Sequence, residues 1–198
     1  MFSSGQFESA GKWFQLAIDR GEFRVYLNLG LSRLKLGHLQ SAEISLRSGA
    51  DHGDIDSSYE LALLLEDTDR EDEAHSIHLA LAESGYAESQ LSLAWYANDR
   101  GDRAAANIFL VHLVNREDEV GAVAAGMIGY EYYSEGRLAE AEPLLRRGSM
   151  CYPSALVALI QLLTRTGRTQ EARALACSAD ANGVEGAAQA LALIGEHQ

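Results

Sequence analysis

Proline and cysteine are both scarce in this chain. Two prolines among 198 residues leave few forced breaks in helices, and together with 47% hydrophobic residues they favour helices throughout. The two cysteines, Cys151 and Cys177, are too few and too irregularly spaced for a disulfide framework. We therefore expect a reducing, cytoplasmic location.

Positive charge is scarce as well. Sixteen Lys and Arg residues against 29 Asp and Glu residues give a formal net charge of −13. Nucleic-acid phosphates and anionic lipid surfaces would be repelled, so neither nucleic acid nor a membrane is an expected partner. No apolar run approaches the roughly 18 residues of a membrane span. The charge permits a basic or apolar partner, but solubility alone is sufficient to account for it.

The residue patterns of catalytic and metal sites are missing. There is no Gly-rich phosphate loop, no Gly-x-Ser-x-Gly elbow and no Cys-His-Asn arrangement, so we predict neither an enzyme nor a cofactor. His75 and His78 can share a helix face with Glu71, but a closed set of four ligands is absent. We therefore predict no metal site.

The sequence does contain a repeat of 31 to 35 residues. Turn residues recur at steps of 32, 32, 32, 35 and 31, and they are Gly5, Gly37, Asp69, Gly101, Gly136 and Gly167. Self-similarity at this period indicates helical hairpins that bury one face against their neighbours. Glycine supplies the left-handed backbone that a short turn after a helix commonly needs, and Asp tolerates that conformation better than most residues.

Each hairpin repeats two packing positions. About five residues after each turn comes an alanine, which lets the second helix approach the first closely. Four residues later, on the same face, most repeats carry a bulky apolar residue. The alanines are Ala10, Ala42, Ala74, Ala106, Ala141 and Ala172, and the second series is Phe14, Leu46, His78, Leu110, Leu145 and Ala176. His78 and Ala176 depart from this series, so we expect looser packing there, with the His78 side chain packed against its neighbours through hydrogen bonds.

Residues 125–153 show the unit most completely. Ile128-Gly129, Tyr132, Gly136, Ala141, Leu145 and Pro153 resemble the tetratricopeptide pattern of Leu-Gly, Tyr, Ala, bulky apolar residue and Pro. Residues 17–22 and 82–96 resemble the related Sel1-like repeats. The resemblance covers nearly the whole chain and implies an all-α, right-handed α-solenoid of about five to six helix-turn-helix repeats, with about 12 helices.

The resemblance implies one continuous array over residues 1–198. Its expected parts are a half repeat at 5–20, hairpins at about 23–50, 55–84, 87–115, 120–149 and 154–181, and a closing helix at 184–196.

In tetratricopeptide proteins the first helices of successive hairpins line a concave groove. The resemblance thus implies a non-catalytic scaffold that binds a peptide or a helical segment of another protein. The groove positions here are Leu27, Leu31, Tyr59, Leu63, Leu91, Trp95, Asn98, Tyr130, Tyr133 and Gln161. The carboxylate clamp of the family, a set of Lys and Asn, is not matched, because Asn28 and Asn98 have no basic companions nearby in the groove. We therefore expect the partner segment to be an amphipathic or basic helix.

Two alternatives stay open. Phe7, Trp13 and Phe14 lie on a second helix that lacks its first helix, so this end of the array is a candidate interface for a homodimer or a larger self-assembly. The chain could instead be the interaction domain of a longer regulatory protein.

Overall fold

A computed structural model describes residues 13–14, 16–20, 22, 25–184, 186–188 and 191–192. All regular structure within these residues is helical, which confirms the all-α prediction. The chain divides into two compact units, Met1–Gln90 and Leu91–Gln198, which we call unit 1 and unit 2. A single right-handed array over the whole chain stays a prediction.

Unit 1 contains two helical hairpins. Its helices are α1 (Tyr26–Lys35), α2 (Leu39–Asp51), α3 (Ile55–Glu66) and α4 (Glu71–Glu83). Helix α1 packs on α2 and α3 packs on α4, while α3 also contacts α1 and α2. Leu46 from α2 and Leu65 from α3 lie in the shared core. Residues 16–19, which precede these hairpins, are helical too.

Helix α5 (Ala87–Asp99) contains the boundary between the units. The other helices of unit 2 are α6 (Arg103–Leu113), α7 (Glu119–Ser134), α8 (Leu138–Gly148), α9 (Pro153–Arg165) and α10 (Thr169–Ala181). Helix α7 contacts α6, α8 and α9, and α9 also contacts α8 and α10. Of the predicted closing helix, the structure describes residues 184, 186–188, 191 and 192.

The predicted left-handed turns are confirmed at five positions. Glycines occupy four of them with φ between 73° and 78°, namely Gly37, Gly101, Gly136 and Gly167. Asp69 adopts the same conformation with φ of 59°, as the one non-glycine residue with positive φ in the described part of the chain. The sixth position, Gly5, lies outside the described residues.

The two helices of a hairpin meet at residues with little or no side chain. The alanines of the first packing position are at most 4% exposed, namely Ala42, Ala74, Ala106, Ala141 and Ala172. A Cβ added to Gly30 would lie 2.6 Å from Leu46 Cδ2, and one added to Gly129 would lie 2.8 Å from the Leu145 amide nitrogen. Ordinary side chains would not fit at these distances, so the predicted close approach is confirmed.

Each unit also contains a ring of two glutamates and two arginines at a junction between hairpins. In unit 1 the ring is Glu43, Arg47, Arg70 and Glu73, with N–O distances of 2.7 to 3.2 Å. In unit 2 it is Glu142, Arg146, Arg168 and Glu171, with distances of 2.6 to 2.7 Å. The two rings use the same four repeat positions. Hydrogen bonds from the arginines lower the pKa of all four carboxyl groups.

Asp69 and Gly136 allow a test of the turn conformation. Asp69→Gly should raise the free energy of unfolding by up to about 1 kcal/mol, because it relieves the cost of a left-handed L-residue. Gly136→Ala should lower it by about 1 kcal/mol for the converse reason. An added Cβ at Gly136 meets nothing within 4 Å, so backbone conformation alone is probed there.

Urea unfolding of the full chain, followed by circular dichroism, measures both changes. A lower free energy of unfolding for Asp69→Gly would contradict the prediction. It would mean that the aspartate side chain stabilises the fold by more than its left-handed backbone conformation costs.

Candidate functional site

The groove positions predicted in unit 1 take part in internal packing. Leu27 is partly buried against the core of the unit. The Tyr59 ring centroid lies 5.8 Å from that of His78 and 5.3 Å from that of Tyr86. The Tyr86 hydroxyl donates to Asp56 Oδ1 at 3.2 Å, and burial raises the pKa of that hydroxyl. Tyr59 is therefore held within an aromatic cluster. The other two positions, Leu31 and Leu63, are half-buried.

His78 is buried and hydrogen-bonded, as the sequence predicts. Its Nδ1 lies 3.0 Å from Ser89 Oγ, and its Nε2 lies 3.0 Å from Glu66 Oε1. Serine, histidine and carboxylate are the components of a hydrolytic triad, in which substrate must reach the serine. Ser89 and His78 are both fully buried, so this arrangement is a polar network of the core.

Unit 2 contains an open pocket of about 50 Å³ that is lined by α5, α6, α7 and Tyr152. Buried side chains form its floor, namely Ala106, Leu110, Met127 and Tyr152. Exposed or half-buried side chains form its rim, namely Asn98, Arg103, Tyr130, Glu131 and Ser134. We call this site the Tyr130 pocket. It combines an apolar floor with a small number of polar groups, as ligand-binding pockets do.

Helix α7 supplies four of the lining residues because they share one of its faces. Met127, Tyr130, Glu131 and Ser134 are spaced by three, four and seven residues. Tyr130 remains 45% exposed, so much of its side chain is accessible to a partner. Asn98 and Tyr130, both predicted groove residues, are thus brought together in one pocket.

The other groove positions predicted in unit 2 pack internally. Trp95 is half-buried, and its ring meets the Tyr152 ring edge to face with 5.4 Å between the centroids. The Tyr133 hydroxyl donates to Gln161 Oε1 at 3.1 Å, which joins two predicted positions on α7 and α9. Leu91 is half-buried. Trp95 thus contacts the connection before α9, and Tyr133 contacts α9 itself.

Arg103 corrects the expectation that Asn98 has no basic companion. Both residues line the Tyr130 pocket. The turn at residues 100–102 is short, so it returns the start of α6 to the end of α5, where Asn98 lies. Arg103 was missed because the groove prediction considered only the first helix of each hairpin.

Met127, Glu131 and Tyr152 were also missed. Met127 lies three residues before Tyr130 and four before Glu131, so helical spacing could have added Met127 to the face of Tyr130 and Glu131 to the face of Met127. Tyr152 lies in the connection that precedes α9, where periodicity carries no signal.

The predicted end interface is only partly described. Trp13 is 71% exposed and Phe14 is half-buried. Phe7 lies outside the described residues. The indole of Trp13 is accordingly available for contact with another molecule.

The described residues include no cluster of three His, Cys, Asp or Glu side chains that could hold a metal ion. None of the helices in this part of the chain combines the length and the apolar character needed to cross a membrane.

Comparisons with known proteins give limited information. No family model and no curated protein matches the chain. Among solved structures, a TPR repeats protein from Bacteroides fragilis NCTC 9343 aligns with 90% of this chain and 100% of its own. The TM-score is 0.35 and the sequence identity is 10%. The description of the fold therefore rests on the helical hairpins of the chain itself.

The buried position of His78 predicts a pH dependence of stability. Burial lowers the pKa of this imidazole, against the opposing effect of the Glu66 carboxylate, and the nearby His75 lowers it further. In the unfolded chain the pKa is about 6.5, so below that pH the unfolded state binds more protons than the folded state. The stabilising contribution is complete above about pH 6.5 and is lost as the pH falls through the folded-state pKa.

His78→Gln should flatten the dependence of the unfolding free energy on pH between about pH 7.5 and 5.5. The maximum slope for one proton is about 1.4 kcal/mol per pH unit. Urea titrations at several pH values measure this slope, with His112→Gln at an exposed position as the control. Equal slopes for the wild type and His78→Gln would contradict the assignment.

Proposed function

We propose that this protein is a non-catalytic interaction module that binds a peptide or a helical segment of another protein at the Tyr130 pocket. The observation that carries the proposal is the 45% exposed Tyr130 ring beside a floor of buried apolar side chains. Aromatic residues next to pockets are frequent energetic centres of protein interfaces. Arrays of helical hairpins also present extended surfaces to partners.

Charge and chemistry support the same function. The net charge of −13 favours a partner segment with basic residues over an acidic one. Ser89 and His78 are fully buried in their network with Glu66, so that network provides no argument for hydrolytic activity. The scarcity of cysteine supports a cytoplasmic location as part of the proposal.

Peptides selected from a random library against the full chain provide the test. Binders should be enriched in combinations of apolar and basic residues. Tyr130→Ala should weaken their binding at least about tenfold, or about 1.4 kcal/mol, because it removes the exposed ring at the pocket. Calorimetric titration of the tightest peptide against both proteins measures the change.

Ile108→Ala is the matched control. Ile108 is 63% exposed on α6 in the same unit, and it does not line the pocket. Its replacement should leave the affinity within about twofold of the wild type. If the selected peptides bound Tyr130→Ala as well as the wild type, the pocket would not be their site.

Self-association is a second candidate function, favoured by the exposed indole of Trp13. The Trp13 side chain is 71% accessible, so association of two copies could remove its apolar surface from water. The occupant would be a second copy of this chain.

Light scattering over a range of concentrations tests this candidate. The wild-type mass should rise toward that of a dimer, and Trp13→Glu should remain monomeric because a buried, unpaired carboxylate opposes association. Ile44→Glu, at another exposed apolar position of unit 1, should still dimerise. A wild type that is monomeric at every concentration would exclude self-association through Trp13.

A further inference from the structure

The Tyr130 pocket is lined by one acidic and one basic side chain that do not form an ion pair with each other. Glu131 and Arg103 both line it, yet no ion pair joins them. Elsewhere in the described residues, arginines commonly contact carboxylates, as in the two rings of unit 1 and unit 2. Both charges at the pocket thus remain available to a bound molecule.

One neighbouring side chain holds the Glu131 carboxylate. Asn107 Nδ2 donates to its Oε2 at 3.0 Å, while the Ser134 hydroxyl donates to the backbone carbonyl of Glu131 at 2.7 Å. Its other carboxylate oxygen, Oε1, has no hydrogen bond within the described part of the chain. A fixed carboxylate with a free acceptor is well suited to receive a cation.

The volume of the pocket limits what enters its apolar floor. A cavity of about 150 Å³ accommodates benzene, whereas this pocket offers about 50 Å³. The smaller volume suits a group of two or three carbon atoms, about the size of a valine side chain. Leucine and aromatic side chains would have to remain at the rim.

Based on the proposed function, we infer the type of segment that the pocket recognises. It takes one short aliphatic side chain of a partner protein, while a neighbouring Lys or Arg of that segment pairs with Glu131 and a neighbouring Asp or Glu pairs with Arg103. The partner segment is therefore charged on both sides of its anchor residue. A uniformly basic segment would be repelled by Arg103, and a uniformly acidic one by Glu131.

Two charge-removing variants test the inference with the tightest peptide from the random library. Glu131→Gln preserves an acceptor for Asn107 and removes the negative charge, and it should weaken binding about 5- to 20-fold. Arg103→Gln should weaken binding by a similar factor. Glu117→Gln and Arg173→Gln change the net charge equally at exposed positions away from the pocket, and they should leave affinity within about twofold.

Changing the peptide identifies the pairs. Replacing the basic residue of the peptide by Gln should weaken its binding to the wild type but should have little further effect on its binding to Glu131→Gln. Replacing the acidic residue of the peptide by Gln should likewise weaken binding to the wild type and have little further effect on binding to Arg103→Gln. Replacing the short aliphatic anchor by Phe should also reduce affinity.

The outcomes separate this inference from the proposed function. If binding depends on Tyr130 but Glu131→Gln and Arg103→Gln behave like their controls, the charge recognition is wrong and the binding module stands. Uniformly basic selected peptides would overturn it as well. If no selected peptide depends on Tyr130, the proposed function fails and this inference fails with it.

Discussion

The close contact between the two helices of each hairpin is the constraint on which the rest of the structure depends. In unit 2, glycines bring the backbones of α7 and α8 close together. A Cβ at Gly129 would lie 2.8 Å from the Leu145 amide nitrogen, and one at Gly148 would lie 2.3 Å from Gly126 Cα. This contact fixes the rotation of α7. The adjacent face of the helix, with Met127, Tyr130 and Glu131, is thereby turned toward the pocket.

Charge is used in two different ways in the same molecule. In the rings at the hairpin junctions every glutamate contacts two arginines, and their hydrogen bonds keep the carboxyl groups ionised by lowering the pKa of each. At the Tyr130 pocket, Glu131 has an amide as its hydrogen-bond donor, and Arg103 forms no ion pair with any carboxylate in the described part of the chain. In the rings, the charged side chains pair with one another inside the fold. At the pocket, the Glu131 and Arg103 charges can pair with groups of a bound partner.

The sequence predicts a structural feature well when the conformation or burial of one residue determines that feature. A turn such as Gly136 is predictable because its left-handed conformation is a local requirement, and Asp69 fits the series for the same reason. The burial of Ala141 follows from its place in the repeat. The His78 network was only partly predictable, because Glu66 and Ser89 come from α3 and α5 and their approach depends on tertiary packing.

The pocket could not be predicted in the same way, because its lining comes from separate segments. Tyr130 and Asn98 were predicted from the groove that the resemblance implies, but Arg103 begins a second helix and Tyr152 lies in a connection. Helical periodicity carries no information about where a connection places its side chain. The sequence also does not distinguish an aromatic residue that binds a partner from one that packs internally. Trp95 was predicted as a groove residue, but its ring packs against Tyr152.

The most direct test of the central claim is a ¹H–¹⁵N NMR titration of the full chain with the tightest library peptide. If the pocket is the binding site, the largest changes in chemical shift will occur at the amides of Asn98, Arg103, Met127, Tyr130 and Glu131. The largest changes would instead fall on α8 and α10, or on residues 16–20, if the partner binds elsewhere, and that result would contradict the account.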